Sequence, residues 1–240
     1  MIRCAPLALL ALILMAAPVR AGCRLALALA VDVSRSVDAA DYVIQTEGLA
    51  DALIDPAVEA AFFGPAGDVA VMVYVWSGRA HQEVVADWVL ITTPDALRAL
   101  SDRVRRMPRL PVSLPTALGE ALRFGLETFE TAPPCTRRVL DVAGDGRNNE
   151  GLPPQRIYAR VDFGDLVVNG LAVGEHEADL AEYYRREVIR GAEAFVEIAR
   201  HQRDYPRAIR RKLIRELTDA VAGAAGPKTG KAVGARGGKS

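Results

Sequence analysis

Asp32-Val33-Ser34-Arg35-Ser36 places one carboxylate and two hydroxyls on alternate residues, a D-x-S-x-S pattern. Hard divalent cations prefer oxygen ligands, and alternate residues of an extended loop can turn several oxygens toward one point. The segment follows an apolar run, Leu25 to Val31, that ends abruptly at the aspartate. A buried strand delivering this loop would present a metal-binding corner. The same residues also suit an ordinary polar turn, because Asp and Ser favour turns.

Two later segments carry the matching chemistry. Ser113-Leu114-Pro115-Thr116 stands just before a helix-like stretch, where Thr116 can cap the helix or offer its hydroxyl. Ala143-Gly144-Asp145-Gly146 holds a second carboxylate between glycines that permit close backbone approach. Asp32, Ser34, Ser36, Thr116 and Asp145 together, completed by water, suit six-coordinate oxygen binding.

Bringing these loops together requires particular elements. Strand-like residues 25–32 are followed by a helix over 38–54, with Asp38 a plausible cap. Residues 68–77 and 83–91 are β-branched and aromatic and read as a hairpin. Helices are expected over 93–106 and 116–129, the latter stopped by Pro133-Pro134. Strand 138–143, helix 153–163, strand 166–173, helix 178–188, a short strand 194–199 and helix 205–218 follow. Strands alternating with helices, several of them continuously apolar, predict an α/β fold. It would be a doubly wound, mostly parallel sheet with helices on both faces and one antiparallel edge strand. In such sheets ligands bind beyond the carboxyl ends of the strands, where the strand order reverses. Asp32 ends the first strand and Asp145 the fourth, the expected neighbours at that point.

The three loops resemble the metal-ion-dependent adhesion site of the von Willebrand factor type A (vWA) fold. DVSRSVDAADYVIQTEGLADAL, VWSGRAHQ, RRVLDVAGDGRNNEG, VVNGLAV and LAEYYRREVI further resemble a bacterial family of exported vWA-like proteins of unknown function. That likeness spans roughly residues 23–217, in the expected order. It implies Ser34, Ser36 and Thr116 as hydroxyl ligands, with Asp32 and Asp145 acting directly or through water. Pro115 stands where the family pattern commonly has glycine, which stiffens the threonine loop. The implied cofactor is a divalent cation, Mg²⁺ first, with Mn²⁺ or Ca²⁺ as alternatives. Two carboxylates only neutralise such an ion, so an open position would still take a Glu or Asp from a partner protein. Hydroxyl ligands make such sites weak, in the range of about micromolar to millimolar.

Residues 4–19 are apolar after Arg3, and Val19-Arg20-Ala21 suits a signal-peptidase site, so residues 1–21 read as a leader cleaved near Ala21. Export, periplasmic or secreted, follows from that reading. Lipidation at Cys23 is disfavoured by Arg20 three places before it. The run is too short for a transmembrane segment, which needs about 20 apolar residues. Without residues 1–21 the chain keeps 30 − 2 = 28 basic against 30 acidic residues, a net charge of −2, unlike a nucleic-acid binder. The domain is expected over 22–220, and the Gly/Ala/Lys-rich residues 221–240 as a disordered tail.

Cys23 and Cys135 remain after cleavage. Each precedes a strand at similar depth, and an exported pair suggests one disulfide, two free thiols being the alternative. Trp76 and Ser77 end a strand near the metal-bearing edge, as partner-surface candidates, although the core would also suit Trp76. Arg203, Arg207, Arg211 and Arg215 recur every four residues, a stripe that usually means a solvated face. GDGRNN resembles the magnesium motif of haloacid-dehalogenase-like phosphatases, but Ser34 replaces the second aspartate their first strand needs. His81, His176 and His201 lack zinc-ligand spacing. The expected function is therefore an exported, non-enzymatic, metal-dependent protein-binding module. A metal-dependent hydrolase or phosphatase-like enzyme and a metal-free scaffold are the alternatives.

Overall fold

A computed structural model describes residues 22–107, 109 and 114–222. The expected leader and residues 223–240 of the expected tail lie outside these residues, while residues 221 and 222, expected to begin that tail, belong to the last helix. Strand β1 (Cys23–Asp32) is followed by α1 (Ala39–Leu53), α2 (Pro56–Phe63), β2 (Asp68–Trp76), β3 (Gln82–Ile91) and α3 (Pro94–Arg105). Then come α4 (Leu118–Thr128), β4 (Arg137–Gly144), α5 (Pro154–Tyr158) and β5 (Val167–Val173). Helix α6 (Leu180–Tyr183) widens into a π-helical turn (Tyr184–Val188), and β6 (Val196–Ala199) and a 3₁₀ turn (Gln202–Asp204) lead into α7 (Tyr205–Ala222).

The six strands lie in the order β3-β2-β1-β4-β5-β6. All pair in parallel except β3, which is antiparallel to β2. This is the expected doubly wound sheet with one antiparallel edge. From β1 the chain first builds outward through β2 to β3, and β4 then joins β1 on its other side. The reversal therefore falls between β1 and β4, opening a crevice at their carboxyl ends.

Alternation along β1 explains both cores. Leu25, Leu27, Leu29 and Val31 enter one cluster with residues of α1, α2, α3 and α7. Ala26, Ala28 and Ala30 face the other, where Tyr74, Trp76, Leu118 and Leu122 supply the bulk that alanine leaves. Because both faces are covered, the strand carries no polar alternation.

Local chemistry sets the helix starts. Asp38 Oδ1 accepts from the Ala40 and Asp41 amides at 2.7 and 2.9 Å, and Asp55 and Thr93 cap α2 and α3 in the same way. Helix α4 begins two residues later than expected, because Thr116 does not cap it. Asn148 Oδ1 instead accepts from the Gly119 amide at 3.0 Å, which frees the Thr116 hydroxyl. Cys23 and Cys135 form a disulfide, with their Cα atoms 4.5 Å apart.

Candidate metal centre

The three loops are stitched together by backbone. The Val33 amide donates to the Trp76 carbonyl (2.9 Å), Arg35 to Leu114 (2.8 Å), Ala117 to Ser77 (2.7 Å), and Asn149 to Thr116 (2.9 Å). Asn149 Oδ1 also accepts from the Thr116 amide at 2.8 Å. The two asparagines of GDGRNN thus act through loop geometry, clasping the threonine loop from both sides. Ser113, expected in that loop, lies outside the described residues.

This stitching brings Asp32, Ser34, Ser36, Thr116 and Asp145 to one place. Ser34 Oγ lies 3.3 Å from Ser36 Oγ, and Thr116 Oγ1 donates to Ser34 Oγ at 3.2 Å. Ser36 Oγ donates to Asp145 Oδ1 at 2.5 Å, and the Ser34 amide donates to Asp32 Oδ1 at 2.7 Å. Adjacent oxygens around an octahedral ion with bonds of about 2.1 Å lie about 3 Å apart, so this cluster has the spacing of a hard-cation site. Asp32 Oδ2 is buried and has no hydrogen-bond partner. An unmet buried carboxylate oxygen is costly, and a cation is the natural group to satisfy it. The donor set fits a divalent ion. Among the described residues no group of three or more His, Cys, Asp or Glu side chains could hold a metal; this cluster has only two carboxylates and depends on its hydroxyls.

Electrostatics points the same way. Burial holds the Asp32 carboxyl well above its ordinary range, and the Asp145 charge adds to this against the Ser34 hydrogen bonds. Burial also raises Asp145, opposed by the Ser36 hydroxyl and nearby His176. Positive charge placed between two such carboxylates is strongly favoured. The centre is not sealed. A depression of about 550 Å³ lined by Arg35, Ser36, Pro115, Thr116 and Asn149 opens over it.

Trp76 and Ser77 are not on a partner surface. They are only 0% and 2% exposed, because the threonine loop docks across this strand end through Ala117. Trp76 belongs to the second core, and Ser77 contributes its carbonyl. Gln202 carried no local signal in the sequence, yet its Nε2 lies 3.5 Å from Asp145 Oδ2. The Gln202 backbone N–H donates to Glu175 Oε2 at 2.6 Å, which ties the 3₁₀ turn to the loop after β5. Arg147 meanwhile pairs with Glu177 and Asp179 beside the site. Apart from Arg147, which stands in the Asp145 loop, these rim residues come from loops distant in sequence, so only the fold reveals them.

The sequence matches the family described as Protein of unknown function (DUF1194) over residues 22–221. The chain belongs to this family. No curated protein matches it. Among solved structures, proximal thread matrix protein 1 from the mussel byssus superposes with a TM-score of 0.57 at 14% identity, covering 83% of this chain and 48% of that one. A form of the same byssus protein with a zinc-occupied MIDAS motif gives 0.56 at 16% identity, covering 85% and 49%. A von Willebrand factor type A structure from Catenulispora acidiphila gives 0.55 at 16%, covering 82% and 42%. This chain therefore spans about half or less of each of those chains. The shared architecture establishes that this DUF1194 member has the vWA fold.

Proposed function

We propose that the domain is an exported, metal-dependent protein-binding module. In this reading Ser34, Ser36 and Thr116 ligate a divalent cation through their hydroxyls, while Asp32 and Asp145 ligate it directly or through water. Mg²⁺ is the first choice and Mn²⁺ or Ca²⁺ the alternatives. The observation that carries the reading is the convergence of five oxygen-bearing side chains from three loops, the two carboxylates among them buried.

Each residue has a distinct task. Asp32 and Asp145 supply the negative charge, buried where solvent screens it least. The serines and threonine orient the ion without adding charge. When bound, the cation supplies a Lewis-acidic position that accepts a carboxylate from a partner's Glu or Asp. The depression over Ser36 and Thr116 leaves room for that side chain. Coordinating a carboxylate needs no nucleophile and no proton transfer, so the reading is of a binder and not an enzyme.

Export is supported by the leader-like residues 1–21 and by the Cys23–Cys135 disulfide, which suits an oxidising compartment. Among the described residues no helix is long and apolar enough to cross a membrane. The test is capture from the source cell envelope on immobilised protein, with Mg²⁺ or with chelator. A partner retained only with metal, and lost with Ser36→Ala, is expected. Capture indifferent to chelator would favour the scaffold reading, and metal-dependent hydrolysis of phosphoesters would favour the enzyme.

A further inference from the structure

A second, chemically different surface lies along the far edge of the sheet. We infer that the groove between β6 and α7 binds an extended acidic segment of a partner protein, independently of the metal centre. The groove encloses about 420 Å³ and is lined by Ile198, Arg200, Arg203, Asp204, Arg207 and Arg211, with His201 at one end.

Three observations carry this. The first is charge. Asp204 pairs with Arg207 at 3.1 Å, and Glu197 accepts from Arg211 Nε at 3.0 Å. Among the described residues Arg200 and Arg203 have no acidic partner within 4.0 Å, the ion-pair limit, and all four arginines are exposed. The groove thus carries unbalanced positive charge in a molecule whose total is near zero.

The second is the open strand. β6 ends the sheet order, so one side of it has no neighbouring strand. The Phe195 and Ala199 carbonyls accept from the Gly170 and Gly174 amides of the β5 side. By strand alternation the backbone groups of Val196 and Ile198 then face outward. An edge of this kind is a template for an added strand.

The third is pitch. Arg207 and Arg211 are four residues apart on α7, about 6 Å of rise, and Arg203 precedes them in the 3₁₀ turn that leads into the helix. Alternate side chains of an extended strand recur about every 6.6 Å. A strand running along α7 therefore brings acidic residues at every second position into step with Arg207 and Arg211. A polypeptide answers both features, because only it brings backbone donors and acceptors for the open edge as well as carboxylates for the guanidinium groups. Phosphate-bearing lipid would answer the charge alone.

The experiment uses the leaderless chain with its disulfide intact, in chelator, and follows a labelled peptide of alternating Val and Glu by fluorescence anisotropy. Saturable binding is expected, weakening as salt is raised, and at least tenfold weaker for Arg203→Gln/Arg207→Gln. These exposed changes should leave the melting temperature and the Mn²⁺ titration unaltered. Asp145→Ala should bind the peptide like wild type, so failure of the metal reading and failure of this one give different patterns. Of two peptides, one N-methylated at every valine amide and one at every glutamate amide, at least one should lose binding, since one set of amides must complete the edge. No binding, equal binding by the double variant, undiminished binding by both N-methylated peptides, or capture of phosphatidylglycerol vesicles in place of the peptide would each overturn the inference. The arginines would then serve as a charged guard on an exposed edge.

Discussion

Gly144 and Gly146 flank Asp145, yet only one is demanded by its surroundings. A Cβ at Gly144 would fall 2.6 Å from the Tyr184 hydroxyl and 3.0 Å from Asp32 Oδ2. At Gly146 the nearest atom, Thr116 Oγ1, is 3.8 Å away. Gly144→Ala should therefore cost about 1–3 kcal/mol by overpacking, and Gly146→Ala should change stability by about 0.5 kcal/mol or less. Chemical denaturation of the two variants checks this. The five oxygen-bearing residues were legible in the sequence because each stands in a short motif at a strand or helix end. Gln202 and Glu177 were not, since nothing local marks a residue that reaches the site from another loop. Trp76 and Ser77 misled because a strand end is exposed only where no other loop crosses it, and here the threonine loop does.

At the scale of elements, α7 is fastened to the sheet through buried charge. Lys212 Nζ lies 2.8 Å from Asp141 Oδ1 on β4 and 2.7 Å from Glu216 Oε1, and Asn169 on β5 donates to the same Glu216 oxygen at 2.9 Å. Lys212, Asp141 and Glu216 are 0%, 2% and 1% exposed. Two carboxylates facing one ammonium leave a surplus negative charge out of water. Burial, with Glu216 adding to it and Lys212 opposing, pushes Asp141 up to about 8. The folded chain thus holds a proton that the unfolded chain has released above about pH 4. Native binding exceeds unfolded binding in that window, so this group's contribution to stability falls as pH rises from about 4 to about 8. Thermal unfolding across that range should show the slope, and Asp141→Asn should flatten it. Lys212→Met leaves the buried Glu216 carboxylate without its ammonium partner and should cost on the order of 3–5 kcal/mol. Most elements were legible from period and caps. Helix α2 was not foreseen, although Asp55-Pro56 carries a cap and a first-turn proline, and Val58, Ala61 and Phe62 line one face. Helix α5 stops at Tyr158, short of the expected 163, and the expected 178–188 helix changes to a π-helical turn at Tyr184. The π-helical turn packs Tyr184 against Gly170 on β5, and α5 packs against α4 and that turn, contacts that local sequence does not encode.

For the whole molecule, topology brings distant segments to a common edge, and the disulfide closes the largest covalent loop. Cys23 and Cys135 are 112 residues apart and pin the starts of β1 and β4, the two strands whose far ends carry Asp32 and Asp145. A loop of that length removes about 4–5 kcal/mol of unfolded-state entropy in the chain model. Cys23→Ser/Cys135→Ser should melt roughly 10–20 °C lower by calorimetry if that entropy is realised in full. The crossover order that places the site was legible because βα alternation leaves few parallel-sheet topologies. The proposed function requires the loops at this crossover to hold one divalent cation. Calorimetric titration of the folded chain with Mn²⁺ and Mg²⁺, beside Asp32→Ala and Asp145→Ala at matched secondary structure, tests it most directly. A single site of micromolar-to-millimolar affinity is expected in the wild type, with at least a tenfold loss in each variant. Absence of binding to the wild type, or undiminished binding to both variants, would contradict it.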